Sequence, residues 1–343
     1  MDFPKSVPSV GLVDGKFVDE DPLAGTPGSL IPAQWGNAVT EEILNVISSA
    51  GLEPDELANN QLVAAISQII GATRPFATQA EAEAGVDNTK SMTAVRTQQA
   101  ISKRAAIVGS SRNVRMTVTV ASATANLTAD EIFVKSSLGG SAWLLSSFNK
   151  TLNLASNGAG GMDTGVAPTS GYVSVYAIYN PTTGVSALLA CSQATSNGPV
   201  YSGANMPAGY TASALVSSWG TTAGGLLRAA VQVDRLVSFT AISALNTSTA
   251  AGTFTLFTLA GAVPLNAISY FGYFGAVSTL TGTLGLVVAA TSGGFGAQNV
   301  NNSGTQVTTS FSIPITSPQQ SYYVTASTSG TPTFSVNVTG YTF

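Results

Sequence analysis

Between Ile31 and Ile70, apolar side chains return every three or four positions. Trp35, Val39, Ile43, Val46, Ile47 and Ala50 fall on one face of a helix, and Leu62, Ile66, Ile69 and Ile70 on one face of a second. Pro32 suits a first-turn position and Gly51 a C-cap, while Asp55 or Asn60 can open the second helix. The spacing therefore predicts a helical hairpin over residues 31–72, joined by GLEPDELANN. Helices of about 12 to 15 residues are marginal alone in water, so this hairpin must pack on something. A self-contained core is one solution. Small segments rarely bury enough by themselves, which favours sister chains or a docking protein.

After Gly109 the period changes from 3.6 to 2. In NVRMTVTVA, Val114, Met116, Val118 and Val120 alternate with Arg115, Thr117 and Thr119, the pattern of a half-buried strand. In YVSVYAIY-NPTTG-VSALLA, Pro181 presets a turn and Gly184 supplies positive φ, which predicts a β-hairpin. Its first strand is apolar on both faces and so belongs in the middle of a sheet or against another subunit. Further strand-like runs are TASALVSSW, LLRAAVQV, VSFTAISAL, TFTLFTL, AISYFGYF, TLGLVVAA, TQVTTSFSI, SYYVTAS and TFSVNVTGYTF. Such recurrence predicts a β-sandwich. The aromatic tract from Tyr270 to Phe274 reads as core packing ahead of a ligand platform.

These patterns divide the chain into five segments. Residues 1–30, with Pro4, Pro8, Pro22 and Pro27, form an extended arm, either a loose terminus or a peg that orders against a partner. Residues 31–72 are the hairpin. Residues 73–108 are polar, repetitive and helix-compatible, a linker or shaft. Residues 109–235 and 236–343 are two β-rich units divided near Asp234 and Arg235. The expected fold class is mainly β.

Charge sharpens this picture. Only 9% of residues are charged, against roughly 25% in an ordinary soluble protein. Asp163, Arg228, Asp234 and Arg235 are the only charged residues from Thr151 to Phe343. The net charge of -4 thus sits in the first 150 residues. The near-neutral remainder cannot hold nucleic acid through phosphate contacts, and must meet partners by hydrogen bonding, shape and apolar contact. No apolar run approaches a membrane span, so no membrane insertion is expected, and MDFPKSVPSV lacks the apolar core of a signal peptide. The apolar excess then points to large sheets or to association between copies.

Candidate chemistry is sparse. There is no histidine, which removes Ser-His-Asp and Cys-His systems and His-containing metal sites. Cys191, the single cysteine, reads as a small buried hydrophobe. Glycoside hydrolysis commonly needs two carboxyl groups about 5 to 10 Å apart, and past Glu131 only Asp163 and Asp234 remain. Asp163 in GAGGMDTG reads as a turn residue. No catalytic residue, metal ligand or cofactor is expected, and the chain is expected not to be an enzyme.

Several stretches carry a resemblance. PGSLIPAQWGNAVTEEILNVISSAGLEPDELANNQLVAAI is similar to the N-terminal region of tail fibre proteins of tailed bacteriophages, where a Pro-rich arm leads into a helix of W-x-N-x-V-x-E-E-I type. FATQAEAEAGVDNTKSMTAVRTQQAI resembles a module that recurs in the shafts of such fibres. SSFNKTLNLASNGAGGMDTGVAPTSGYVSVYAIYNPTTG and YSGANMPAGYTASALVSSW resemble their distal segments. The resemblance implies an elongated, multi-domain homotrimeric fibre with β-sandwich-like distal domains, made in the host cytoplasm, not exported by a signal peptide, and carried on the virion tail. It implies that Trp35, Val39, Ile43, Val46, Ile47, Leu62, Ile66 and Ile69 attach to baseplate or tail-tip proteins. The C-terminal region would bind a bacterial surface glycan or protein through Tyr, Asn, Ser and Thr, though no receptor-contacting residue is singled out. The alternatives are a structural baseplate protein that positions a separate receptor-binding protein and, less favoured by the charge census, a polysaccharide depolymerase.

Overall fold

The computed structural model describes residues 3–73, 75–104, 107–194 and 197–343. Arg74, Ala105 and Ala106 of the expected shaft module lie outside them. The chain is mainly β, with 43% of residues in strands and 13% in helices. It divides into two compact units, Met1–Ala100 and Ile101–Phe343.

In the first unit the described part of the arm carries no helix or strand, only isolated bridges between Val13 and Lys16 and between Asp21 and Thr26. It nevertheless doubles back, because Leu30 donates its N–H to Val10 and the Ser29 hydroxyl donates to the Gly11 carbonyl at 2.6 Å. Phe17 then stands edge-on between Phe3 and Trp35, with ring centroids 5.5 and 5.1 Å apart.

Helix α1 (Ala33–Ser49) follows Pro32, and α2 (Gln61–Thr73) follows Asn60, the second of the two openings the sequence offered. The exit from α1 is closed by two bonds, Gly51 N–H to Ser48 and Leu52 N–H to Ile47, with Gly51 at φ 76°. That turn also brings Leu52 back against Ile47. The two helices meet through Ile47, Ala50 and Ala65, with Val46, Leu52 and Ile69 packed around them.

Beyond them, α3 (Gln79–Ala84) begins with a capping box. Thr78 accepts from the Glu81 N–H and Glu81 accepts from the Thr78 N–H, an arrangement the T-x-x-E spacing encodes but the periodicity does not reveal. Lys90 returns to pair with Glu81, and α4 spans Ala94–Arg104.

In the second unit the described residues form one antiparallel sheet of fourteen strands that curls around a contiguous core. In chain order the first seven are β1 (Ser111–Arg112), β2 (Arg115–Val118), β3 (Thr124–Lys135), β4 (Ala142–Asn153), β5 (Tyr172–Asn180), β6 (Val185–Ser192) and β7 (Ala212–Gly220). The rest are β8 (Ala230–Val233), β9 (Leu236–Thr247), β10 (Thr255–Thr258), β11 (Ser269–Ala289), β12 (Gln298–Pro314), β13 (Gln320–Ser327) and β14 (Pro332–Thr342). The main path runs β10-β13-β11-β14-β9-β8-β2-β3-β7-β5-β6, with β1 and β4 on β3 and β12 on β11.

The predicted hairpin is β5–β6, in register from Val173↔Ser192 to Asn180↔Val185, with Gly184 at φ 74°. Strand β5 lies between β6 and β7 and is buried from Tyr172 to Ile178, as its two apolar faces require. In β2, Met116 and Val118 point inward as the alternation predicts, but the strand ends there and Val120 is exposed. The two runs AISYFGYF and TLGLVVAA, separate in the sequence reading, belong to one 21-residue strand, β11. Strand β14 pairs with its first half and β13 with its second, while β12 runs along both with its register shifting between Val277 and Gly282. Tyr270 and Phe274 are fully buried against Phe311 as expected of core residues, whereas Phe271, on the opposite face of the strand, is only partly covered and Tyr273 is 42% exposed, so the tract fills the core with one face alone. Asp234 and Arg235 form the turn between β8 and β9, which pair with each other across it.

Candidate functional site

The residues expected to mediate attachment lie on α1 and α2 and divide by burial. Ile47 is buried, and Val46, Ile69, Trp35 and Val39 are partly covered. Ile43, Leu62 and Ile66 remain 39%, 36% and 46% exposed. The interhelical core is small because Ala50 and Ala65 contribute only methyl groups at its centre. An apolar stripe is therefore left facing solvent.

The two distal acids serve local geometry. Asp163 accepts from the Tyr201 hydroxyl at 2.8 Å and from the Thr164 N–H at 2.8 Å, and Asp234 accepts from the Val114 N–H at 2.9 Å. Cys191 is buried beside Asn197, and burial together with the nearby Asp163 charge pushes its thiol up to about 12. It stays protonated at neutral pH and is a poor nucleophile.

A cavity of about 430 Å³ opens in the curled sheet, and no run of sequence announces it. It is built where β5 begins, β7 ends and β9 and the 259–263 loop approach: Tyr172, Trp219, Arg228, Phe239, Ile242 and Tyr341 line it, among others. Tyr172 and Trp219 are adjacent because β5 and β7 pair Val173 with Trp219. The Trp219 indole N–H donates to the Arg228 carbonyl at 2.9 Å, and the Tyr341 hydroxyl donates to the Ser218 carbonyl at 2.6 Å. These bonds fix two walls.

Arg228 is fixed as well. Its Nε donates to Thr221 at 2.8 Å and its Nη1 to the Gly261 carbonyl at 2.9 Å, while its Cζ stands 5.6 Å from the centroid of the Tyr172 ring. Among the described residues no carboxylate pairs with it and Nη2 has no protein acceptor. Tyr172 is 5% exposed, and its hydroxyl, set beside the Arg228 guanidinium, makes no hydrogen bond of normal geometry. Leaving such a group unpaired costs about 1–3 kcal/mol. Burial raises its pKa strongly, against smaller opposing effects of the Arg228 charge and of the guanidinium's approach to its oxygen, so it keeps its proton at neutral pH. The site thus presents one cationic and one neutral donor above aromatic and aliphatic walls.

The census of charges held one clue to this site, since Arg228 is one of four charged residues in the distal half. Its partners Tyr172, Trp219 and Tyr341 are scattered across the sequence, and only the strand order brings them together. No known family model matches the chain, and no curated protein matches it.

Proposed function

We propose that this chain is a tail fibre protein of a tailed bacteriophage: a homotrimeric, elongated, multi-domain virion component. Residues 31–72 dock on the baseplate or tail tip, residues 73–108 contribute to a shaft, and the β-rich, sandwich-like distal region binds a glycan or protein on the bacterial surface. The observation that carries this reading is the hairpin of α1 and α2, whose sequence resembles fibre attachment regions and whose apolar stripe at Ile43, Leu62 and Ile66 is left open. The distal region agrees with it. With four charged residues in its last 193 and abundant Ser, Thr, Asn and Tyr, it suits many weak neutral contacts, which repeated copies reinforce.

Ile43→Asp tests the docking role. Because Ile43 is already 39% exposed, the variant should fold with nearly unchanged thermal stability, yet virions assembled with it should lack the protein. Virions carrying normal amounts of Ile43→Asp would show that the hairpin is not the anchor.

A further inference from the structure

We infer that the Arg228 cavity binds a small carboxylate carried on a ring-sized body, with one carboxylate oxygen accepting from Arg228 Nη2 and the other from the Tyr172 hydroxyl. This binding site goes beyond the proposed attachment role and does not rest on it.

Three observations converge on it. The guanidinium has no carboxylate of its own among the described residues, in a region where Asp163 and Asp234 are committed elsewhere. The Tyr172 hydroxyl is buried at the same cavity beside the guanidinium, with no hydrogen bond of normal geometry. Arg228 cannot swing away to find solvent, because two backbone carbonyls hold it. A fixed cation beside a fixed neutral donor suits the paired oxygens of a carboxylate. A phosphate dianion would need further positive charge, and among the described residues no other cation lines the cavity.

The rest of the ligand follows from the walls. Phe239, Ile242 and Ala262 offer apolar contact. A volume of about 430 Å³ lies near the lower end for small-molecule sites and accommodates one ring. Such an acid could be a free small molecule or an acidic sugar residue of a polymer, and the two sources share the same recognition chemistry.

The test is calorimetry on the full-length chain with three probes: cyclohexanecarboxylate, glucuronate and, as neutral control, glucose. At least one carboxylate should bind with a Kd of about 1 mM or tighter, and glucose at least about tenfold more weakly. Tighter glucuronate binding assigns the site to an acidic sugar, and tighter cyclohexanecarboxylate binding to a free apolar acid. Arg228→Gln should abolish binding. Should that variant fail to fold, Tyr172→Phe decides, since it removes a hydroxyl that makes no hydrogen bond of normal geometry: its Tm should hold while carboxylate affinity falls by about fivefold or more. The inference is overturned if neither acid binds the folded protein at about 10 mM, if glucose binds equally well, or if Tyr172→Phe with an intact Tm binds the acid undiminished.

Discussion

Arg235 holds its guanidinium over the ring of Phe343, with Cζ 5.3 Å from the ring centroid. The same group reaches the carbonyls of Gly109 at 3.3 Å, Leu215 at 3.4 Å and Phe343 at 3.5 Å. One side chain thus links the segment before β1, strand β7 and Phe343, just past the end of β14. Burial pushes its pKa down, yet an arginine remains charged in any ordinary buffer. Arg235→Ala should lower the stability of the Ile101–Phe343 unit by about 1–3 kcal/mol, read as a lower Tm in thermal unfolding. Arg235→Lys should recover little, because a single ammonium cannot span three carbonyls. Full rescue by lysine would show that charge alone matters there.

Gly109 makes that arrangement possible. It adopts φ 74°, and a Cβ at this position would lie 2.7 Å from Arg235 Nη2. Gly109→Ala should therefore cost about 1–3 kcal/mol, part from the backbone and part from displacing the guanidinium. In the double variant with Arg235→Ala the two losses should be less than additive. Strict additivity would mean that the methyl group and the guanidinium never compete.

Glu81 predicts an acid-sensitive turn. The Lys90 ammonium, followed by the Thr78 N–H and hydroxyl, holds its carboxyl at about 2 instead of 4.5. A depressed folded value means that the contribution is present above the unfolded value and disappears as the pH falls from about 4.5 to about 2. Lys90 is shifted upward by the same pair, so its contribution persists through neutral pH and is lost only on the alkaline side. Side-chain NMR titration of Glu81 should find a midpoint far below that of an ordinary glutamate, and Lys90→Met should restore an ordinary one. A normal midpoint in the unaltered protein would mean that residues 75–91 do not close in this way.

Self-association should be measurable directly. On α2, Val63 and Ile70 are 70% and 60% exposed in addition to Leu62 and Ile66, too much apolar surface for a hairpin with so small a core. Light scattering on the full-length chain at micromolar concentration should give the mass of three copies. A monomer would remove the trimeric part of the proposal, and a dimer would show that the stripe closes with a different symmetry.

Local periodicity was enough to locate α1, α2 and the β5–β6 hairpin, because each is set by neighbours within a few residues: Pro32 and Gly51 at the ends of one helix, Pro181 and Gly184 in one turn. It also marked β5 as central and Tyr270 and Phe274 as core, since a residue that must leave water does so in almost any arrangement. What it could not decide was pairing. AISYFGYF and TLGLVVAA merge into β11 because β12 runs along both, a long-range match that no local pattern encodes. The capping box at Thr78 and Glu81 is a four-residue signal that hydrophobic periodicity does not register, and its closure by Lys90 depends on the chain returning. The cavity is the extreme case. Tyr172, Trp219, Arg228 and Tyr341 are ordinary residues in sequence, and their shared site exists only because the sheet curls and sets the ends of β5, β7, β9 and β14 around one space.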